Sequence, residues 1–282
     1  MKYFKYHAIG NDYIVINSED VHTTLTSEQI KKICHRNFGI GSDGILFGPL
    51  KSDKGQFLLR IFNPDGSEAE KSGNGLRIFS RYLWDMELVK EEAFSIETLG
   101  GLVNSAVLDN GKTVSVEMGK VSFWSDEIPV TGERREVISE NITVENKTFK
   151  FCAATIGNPH CVIPLTEITP ELAKQYGYLI ETHKFFPNRI NVQFMKVLDR
   201  ENIQLEIWER GAGYTLASGS SSSAAAAVAR RLNLCDSSVT VHMPGGMILI
   251  EIGENYSIQM TGSVTKVAEG IISPEIFNTN VT

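Results

Sequence analysis

Two short segments carry the residue types from which an amino-acid site can be built: Ser72-Gly73-Asn74-Gly75 and Ser218-Gly219-Ser220. Each is a small, glycine-bearing turn that runs into a helix-forming stretch, residues 76–84 in one case and 221–234 in the other. Such a turn delivers a polar side chain to a helix N-terminus, where unpaired N–H groups and a partial positive charge favour anions. Two of them make an anion clamp. For an amino-acid substrate the natural anion is the α-carboxylate. Donors held on it also stabilise the enediolate-like charge that builds when the α-proton leaves. Gly73 and Gly219 suit the task because a residue without Cβ lets the backbone approach closely. Either turn alone also reads as an ordinary helix cap, and it is their pairing that favours a site.

The elements that must position these turns are legible in outline. Alternating apolar segments at 13–16, 57–62, 113–118, 191–197, 203–208, 239–243 and 247–252 predict strands. Asp109-Asn110-Gly111 and Pro244-Gly245-Gly246 are hairpin signals between such runs. Four helices are expected. Residues 26–38 open on Ser/Thr caps and set Ile30, Ile33, Cys34 and Phe38 on one face; residues 76–84 carry Leu76, Phe79 and Leu83 on one stripe. Thr169 caps a helix with Pro170 at its first position, and the stretch 221–234 opens nearly continuous in alanine. The fold class is α+β, mostly antiparallel sheet with few helices. The two chemical turns lie far apart, with a polar segment, 125–146, between them. This predicts two similar halves, each offering one helix N-terminus to a shared cleft, although no strict sequence repeat is visible.

Bulk properties narrow the classes. The chain has 282 residues, comfortable for two domains, with 42% hydrophobic and 22% charged residues. A net charge of -7 and scattered basic residues argue against a nucleic-acid partner. No apolar run is long enough to span a bilayer and the N-terminus has no signal-peptide pattern, so neither membrane nor export is expected. Cys34, Cys152, Cys161 and Cys235 form no Cys-x-x-Cys pair, which argues against a zinc site or a disulfide framework and fits a reducing cytoplasm.

Five segments together point to one family. Gly10-Asn11-Asp12-Tyr13, the run from Asn63 through Ser67-Glu68 to Ser72-Gly73-Asn74-Gly75, Gly157-Asn158-Pro159-His160-Cys161, Glu209-Arg210-Gly211-Ala212-Gly213 and Pro244-Gly245-Gly246 resemble diaminopimelate epimerase, in family order. The resemblance implies two pseudo-symmetric domains, each a mixed, mainly antiparallel sheet around a central helix, with the active site between them. The implied division is residues 1–119 with 263–282 against 120–262. It also implies a homodimer, no cofactor and no metal, and a place in lysine biosynthesis. By the same resemblance Asn11, Asn63, Asn158, Asn191 and Arg210 hold the distal amino-acid end of diaminopimelate, and Glu209 lies near its ammonium groups. Gly73, Asn74, Gly219 and Ser220 cradle the reacting carboxylate, and His160 stands behind the site. Within Ser42-Asp43-Gly44, glycine stands where some members carry glutamine.

The departure is at the centre. The family carries cysteine at the positions of Ser72 and Ser218, one to remove the α-proton and one to supply a proton from the opposite face. A thiol at a helix N-terminus can be thiolate on one side and thiol on the other, whereas a serine hydroxyl is too weak an acid to give an alkoxide at neutral pH. Three readings stand: an engineered or otherwise impaired Cys-to-Ser form of the epimerase; a divergent isomerase using another acid or base, such as Glu68, which is placed like the acidic residue of the phenazine-biosynthesis isomerases; and an amino-acid-binding protein without chemistry.

Overall fold

The computed structural model describes residues 1–21 and 24–278. It divides the chain into two units, Met1–Val116 with Gly262–Thr282, and Glu117–Thr261. In chain order the strands of the first unit are β1 (Lys2–Ala8), β2 (Asn11–Ile16), β3 (Ile45–Leu50), β4 (Phe57–Phe62), β5 (Glu68–Ala69), β6 (Phe94–Thr98), β7 (Gly101–Leu108) and the first half of β8 (Thr113–Lys120), which runs on into the second. The second unit holds β9 (Glu140–Val144), β10 (Lys147–Thr155), β11 (Pro159–Pro164), β12 (Asn191–Val197), β13 (Asn202–Glu209), β14 (Gly213–Thr215), β15 (Ser238–Met243), β16 (Gly246–Ile252) and β17 (Ser257–Ser263). The chain then returns to the first unit as β18 (Thr265–Ile271). The helices are α1 (Ser27–Cys34), α2 (Gly73–Asp85), α3 (Pro170–Glu181) and α4 (Gly219–Arg231).

The two units repeat one pairing scheme. In the first, β18–β1–β2 are antiparallel, β2–β3 parallel, β3–β4 antiparallel, β4–β6 parallel, and β6–β7–β8 antiparallel. In the second, β9–β10–β11 are antiparallel, β11–β12 parallel, β12–β13 antiparallel, β13–β15 parallel, and β15–β16–β17 antiparallel. Each unit also hangs a short antiparallel strand, β5 or β14, on the strand before its central helix. The parallel pairs need crossovers, and the four helices supply them: α1 and α3 link the first parallel pair of each unit, α2 and α4 the second. Thus β18, from the far end of the chain, takes the place in unit one that β9 takes in unit two.

Local sequence explains the helices. Thr26 and Gln29 form a capping box on α1, and Thr169 caps α3 with Pro170 at its first position. Helix α4 is buried on nearly every side, and its Ala224–Ala227 run lets strands of its own unit pack closely around it. Its serines are accommodated because Ser222 and Ser223 donate to the carbonyls of Ser218 and Gly219 one turn back.

One element differs from expectation. Helix α1 ends at Cys34, and Phe38 is 62% exposed instead of sharing the buried face of Ile30, Ile33 and Cys34. The cause is His35: its Nδ1 accepts from the amides of Asn37 and Phe38, which draws the chain out of helix. The chain then folds back so closely that a Cβ on Gly39 would collide with the carbonyl of Lys32. The polar stretch 125–146 is part of the second unit, with Ile128, Val130, Val137, Ile142 and Val144 in its core. Among the described residues, no helix is long and apolar enough to cross a membrane.

Candidate active site

Ser72 and Ser218 occupy equivalent places in the two units: each is the N-cap of its unit's central helix, in extended conformation. Ser72 Oγ accepts from the amide of Gly75 at 3.0 Å, and Ser218 Oγ from that of Ser221 at 3.4 Å. The caps satisfy the third amide of each helix, so the amides of Gly73 and Asn74, and of Gly219 and Ser220, remain the donors at the helix ends. The tight approach in the first turn falls at Gly75, where a Cβ would lie 3.2 Å from Ser72 Cβ and 3.0 Å from Leu46. Ser218 is buried and Ser72 half-buried. Ser220 Oγ lies 3.5 Å from Ser218 Oγ.

In the first unit a directed chain of hydrogen bonds orients the asparagines. Arg77 donates to Asn74 Oδ1 at 2.5 Å, Asn74 Nδ2 to Asn11 Oδ1 at 3.0 Å, and Asn11 Nδ2 to Asp43 Oδ2 at 2.8 Å. A guanidinium can only donate and a carboxylate can only accept, so the two ends of the chain fix which way both amides face. Asp43 is itself held by Arg36 and by the amide of Asp12. Arg77 is completely buried, and desolvation lowers its pKa to about 10, which still leaves it charged at neutral pH. Asn63 stands apart from this chain and bonds within its own turn, to Ser67 Oγ. Tyr13 OH lies 3.2 Å from Ser72 Oγ. Gly44 leaves no space for a side chain: a Cβ there would fall 2.7 Å from the Tyr13 ring and 2.5 Å from the Phe62 carbonyl.

In the second unit His160 is the centre. Gln193 Nε2 donates to His160 Nδ1 at 3.1 Å and to Ser221 Oγ at 3.0 Å, while His160 Nε2 meets Asn158 Oδ1 at 3.0 Å. Asn158 Nδ2 then donates to Ser220 Oγ at 3.2 Å. This direction leaves only Gln193 Oε1 without a partner. Turning the Gln193 amide round would orphan two buried N–H groups instead, the costlier arrangement. His160 is therefore the Nε2–H tautomer. Burial pushes its pKa down to about 3, so it is neutral at physiological pH.

Asn191 joins the start of β11 to the turn between β13 and β14: its Nδ2 donates to the Pro159 carbonyl and its Oδ1 accepts from the amide of Arg210. Arg210 itself is exposed, its guanidinium held only by Nη1 on the Asn188 carbonyl among the described residues. Glu209 accepts from Thr215 Oγ1. Beneath this turn Glu181, almost fully buried, receives Trp208 Nε1, the amide of Gly211 and Arg189. Glu68 is held in a two-pronged ion pair with Arg60 at 2.7 and 2.9 Å. That hydrogen-bonded pair lowers its pKa, which makes it a weaker base than a free carboxylate.

Sequence reasoning passed over Tyr13, Asp43, Arg77, Glu181 and Gln193. Tyr13 and Asp43 sit inside quoted motifs and could have been singled out by them. Glu181 and Gln193 carry no local signal, because their partners come from distant parts of the chain.

The sequence profile of diaminopimelate epimerase matches residues 3–124 and 152–267. The chain belongs to the diaminopimelate epimerase family. A protein of Nostoc sp. (strain PCC 7120 / SAG 25.82 / UTEX 2576) named diaminopimelate epimerase 2 is 69% identical over 277 residues, covering 98% of this chain and 97% of that one. A diaminopimelate epimerase of Caldanaerobacter subterraneus subsp. tengcongensis is 40% identical, covering 96% and 99%. Solved structures share the fold at low identity. They include a phenazine biosynthesis protein of the PhzF family from Bacillus anthracis (17% identity, TM-score 0.69, covering 96% and 98%). A hydroxyproline epimerase from Agrobacterium vitis is similar to the same degree (14%, TM-score 0.68, covering 98% and 93%). The diaminopimelate epimerase family assignment thus spans both capped helix ends.

Proposed function

We propose that this chain is a cofactor-independent amino-acid isomerase that interconverts LL- and meso-diaminopimelate at one α-carbon, in a form slowed by serine at both proton-transfer positions. Its setting is lysine biosynthesis in the cytoplasm, as a homodimer. The observation that carries the substrate is the relative 69% identical across nearly the whole chain, which is named a diaminopimelate epimerase.

The residues suit the roles. The amides of Gly73, Asn74, Gly219 and Ser220 are donors for a carboxylate, and the fixed dipoles of α2 and α4 favour the negative charge that builds on it as the α-proton leaves. Arg210, with a guanidinium mostly uncommitted, grips the distal carboxylate through two parallel bonds. Asn11, Asn63, Asn158 and Asn191 can both donate to a carboxylate and accept from an ammonium group. Glu209 supplies negative charge for the distal ammonium. His160, being neutral, adds no charge and serves by orienting Asn158. Ser72 and Ser218 hold the proton-transfer positions, and each lost thiol costs on the order of 10²–10⁴-fold in rate. Glu68, engaged by Arg60 with its pKa lowered, is poorly suited to act as the replacement base.

Titration calorimetry tests the recognition half of this reading. Diaminopimelate is expected to bind far more tightly than alanine, which lacks the distal end. Arg210→Lys should weaken diaminopimelate binding by about tenfold, because a point charge cannot reproduce the two-pronged contact. Equal affinity for diaminopimelate and alanine would sink the assignment.

A further inference from the structure

A serine hydroxyl in place of a thiol needs a partner that can hold its proton, and the first unit supplies one. We propose that Tyr13 is that partner: a positioning residue that acts through Ser72, stabilising whatever base forms there and storing the proton it exchanges with substrate. The proposal rests on the proposed reading of position 72 as a proton-transfer position.

Two observations carry it. Tyr13 OH lies 3.2 Å from Ser72 Oγ; Tyr13 is only 7% exposed and Ser72 half-buried, so the phenol is largely shielded from competing water. The Tyr13 ring fills space that Gly44 leaves by having no side chain: a Cβ there would fall 2.7 Å from the ring. Ser72 Oγ already accepts one hydrogen bond, from the Gly75 amide. It therefore keeps one lone pair and one proton to divide between Tyr13 and substrate. With Tyr13 donating, the Ser72 proton is free for delivery to carbon. With Ser72 donating to a phenolate, the lone pair is free to take a proton.

The step balances. In deprotonation the α C–H bond breaks and its electron pair stays on the substrate as the enediolate. The α-proton bonds to Ser72 Oγ, and the original hydroxyl proton crosses to the Tyr13 phenolate. Protonation reverses each transfer. The pair must first lose one proton to solvent to become a base. A phenol, which ordinarily ionises at about pH 10, gives it up more readily than a simple hydroxyl at roughly 15.7, and burial makes the loss harder for both.

A thiol placed at position 72 reads the pairing without any turnover. In the full chain carrying Ser72→Cys, thiolate is followed by its ultraviolet absorbance and by the rate of alkylation with iodoacetamide. The native cysteines Cys34, Cys152, Cys161 and Cys235 are all buried, with thiols pushed up by that burial, and contribute little. Adding Tyr13→Phe removes only the hydroxyl and keeps the ring against Gly44. Loss of one hydrogen bond to a charged sulfur should cut the thiolate fraction and the alkylation rate about tenfold at neutral pH. Identical absorbance and identical rates in the two variants would overturn the proposal. In the Ser72 protein, Tyr13→Phe should lower the turnover number for α-hydrogen exchange while leaving the melting temperature and the calorimetric affinity for diaminopimelate unchanged. Absence of exchange in the unmodified chain would count against the epimerase reading, while the thiol comparison would still decide the Tyr13 pairing.

Discussion

His160 shows how much a single residue can be constrained by what surrounds it. Gln193 and Asn158 fix its tautomer from both sides, and burial keeps it neutral with a pKa near 3 instead of the usual 6.5. The linkage has a definite sign. The folded pKa lies below the unfolded one, so between about pH 6.5 and pH 3 the unfolded chain binds the extra proton. Stability from this group is complete above 6.5 and falls on acidification by at most about 1.4 kcal/mol per pH unit. His160→Gln, which can still donate and accept, should flatten the decline of melting temperature between pH 6.5 and 4. An unchanged slope in the variant would mean that His160 is protonated at little cost. The position of His160 was legible in its Gly-Asn-Pro-His-Cys motif. Its tautomer was not, because Gln193 lies 33 residues further along the chain.

At the scale of elements, α2 and α4 begin alike, and their first residues serve two ends. Each serine is a cap before it is anything else, its oxygen closing the amide three residues on. A thiol is a poorer acceptor than a hydroxyl, so cysteine at these positions would gain acidity and lose part of the cap. Ser218→Ala should lower unfolding free energy by about 1 kcal/mol, read as a shifted denaturant midpoint at constant slope. No shift would show that the cap contributes nothing to α4. The starts of α1 and α3 were readable because their caps, Thr26 and Thr169, are local signals, whereas α2 and α4 begin inside the glycine turns, at Gly73 and Gly219, ahead of the stretches 76–84 and 221–234 that were expected. The end of α1 was not readable, since it depends on His35 accepting from Asn37 and Phe38. The strands with regular alternation were legible for the same local reason, whereas β5 and β14 are too short to show a period.

Across the whole molecule, the same order of antiparallel and parallel pairings occurs in each unit without a visible sequence repeat. Pairing order depends on burial and crossover geometry, which many sequences satisfy, and so the duplication is hidden in the residues but plain in the registers. What survives at matched positions is the capped helix start, with serine at both. On the proposed reading these two serines, and not Glu68, hold the positions where protons move, and the missing acidity of a thiol limits turnover. Deuterium incorporation from solvent at the α-carbon of diaminopimelate tests this most directly, measured for the unmodified chain, for Ser72→Cys with Ser218→Cys, and for Glu68→Gln. Slow exchange is expected in the unmodified chain, with a rise of several orders of magnitude when both thiols are present and no change on Glu68→Gln. Fast exchange in the unmodified chain that Glu68→Gln abolishes, or no gain when both thiols are introduced, would contradict it.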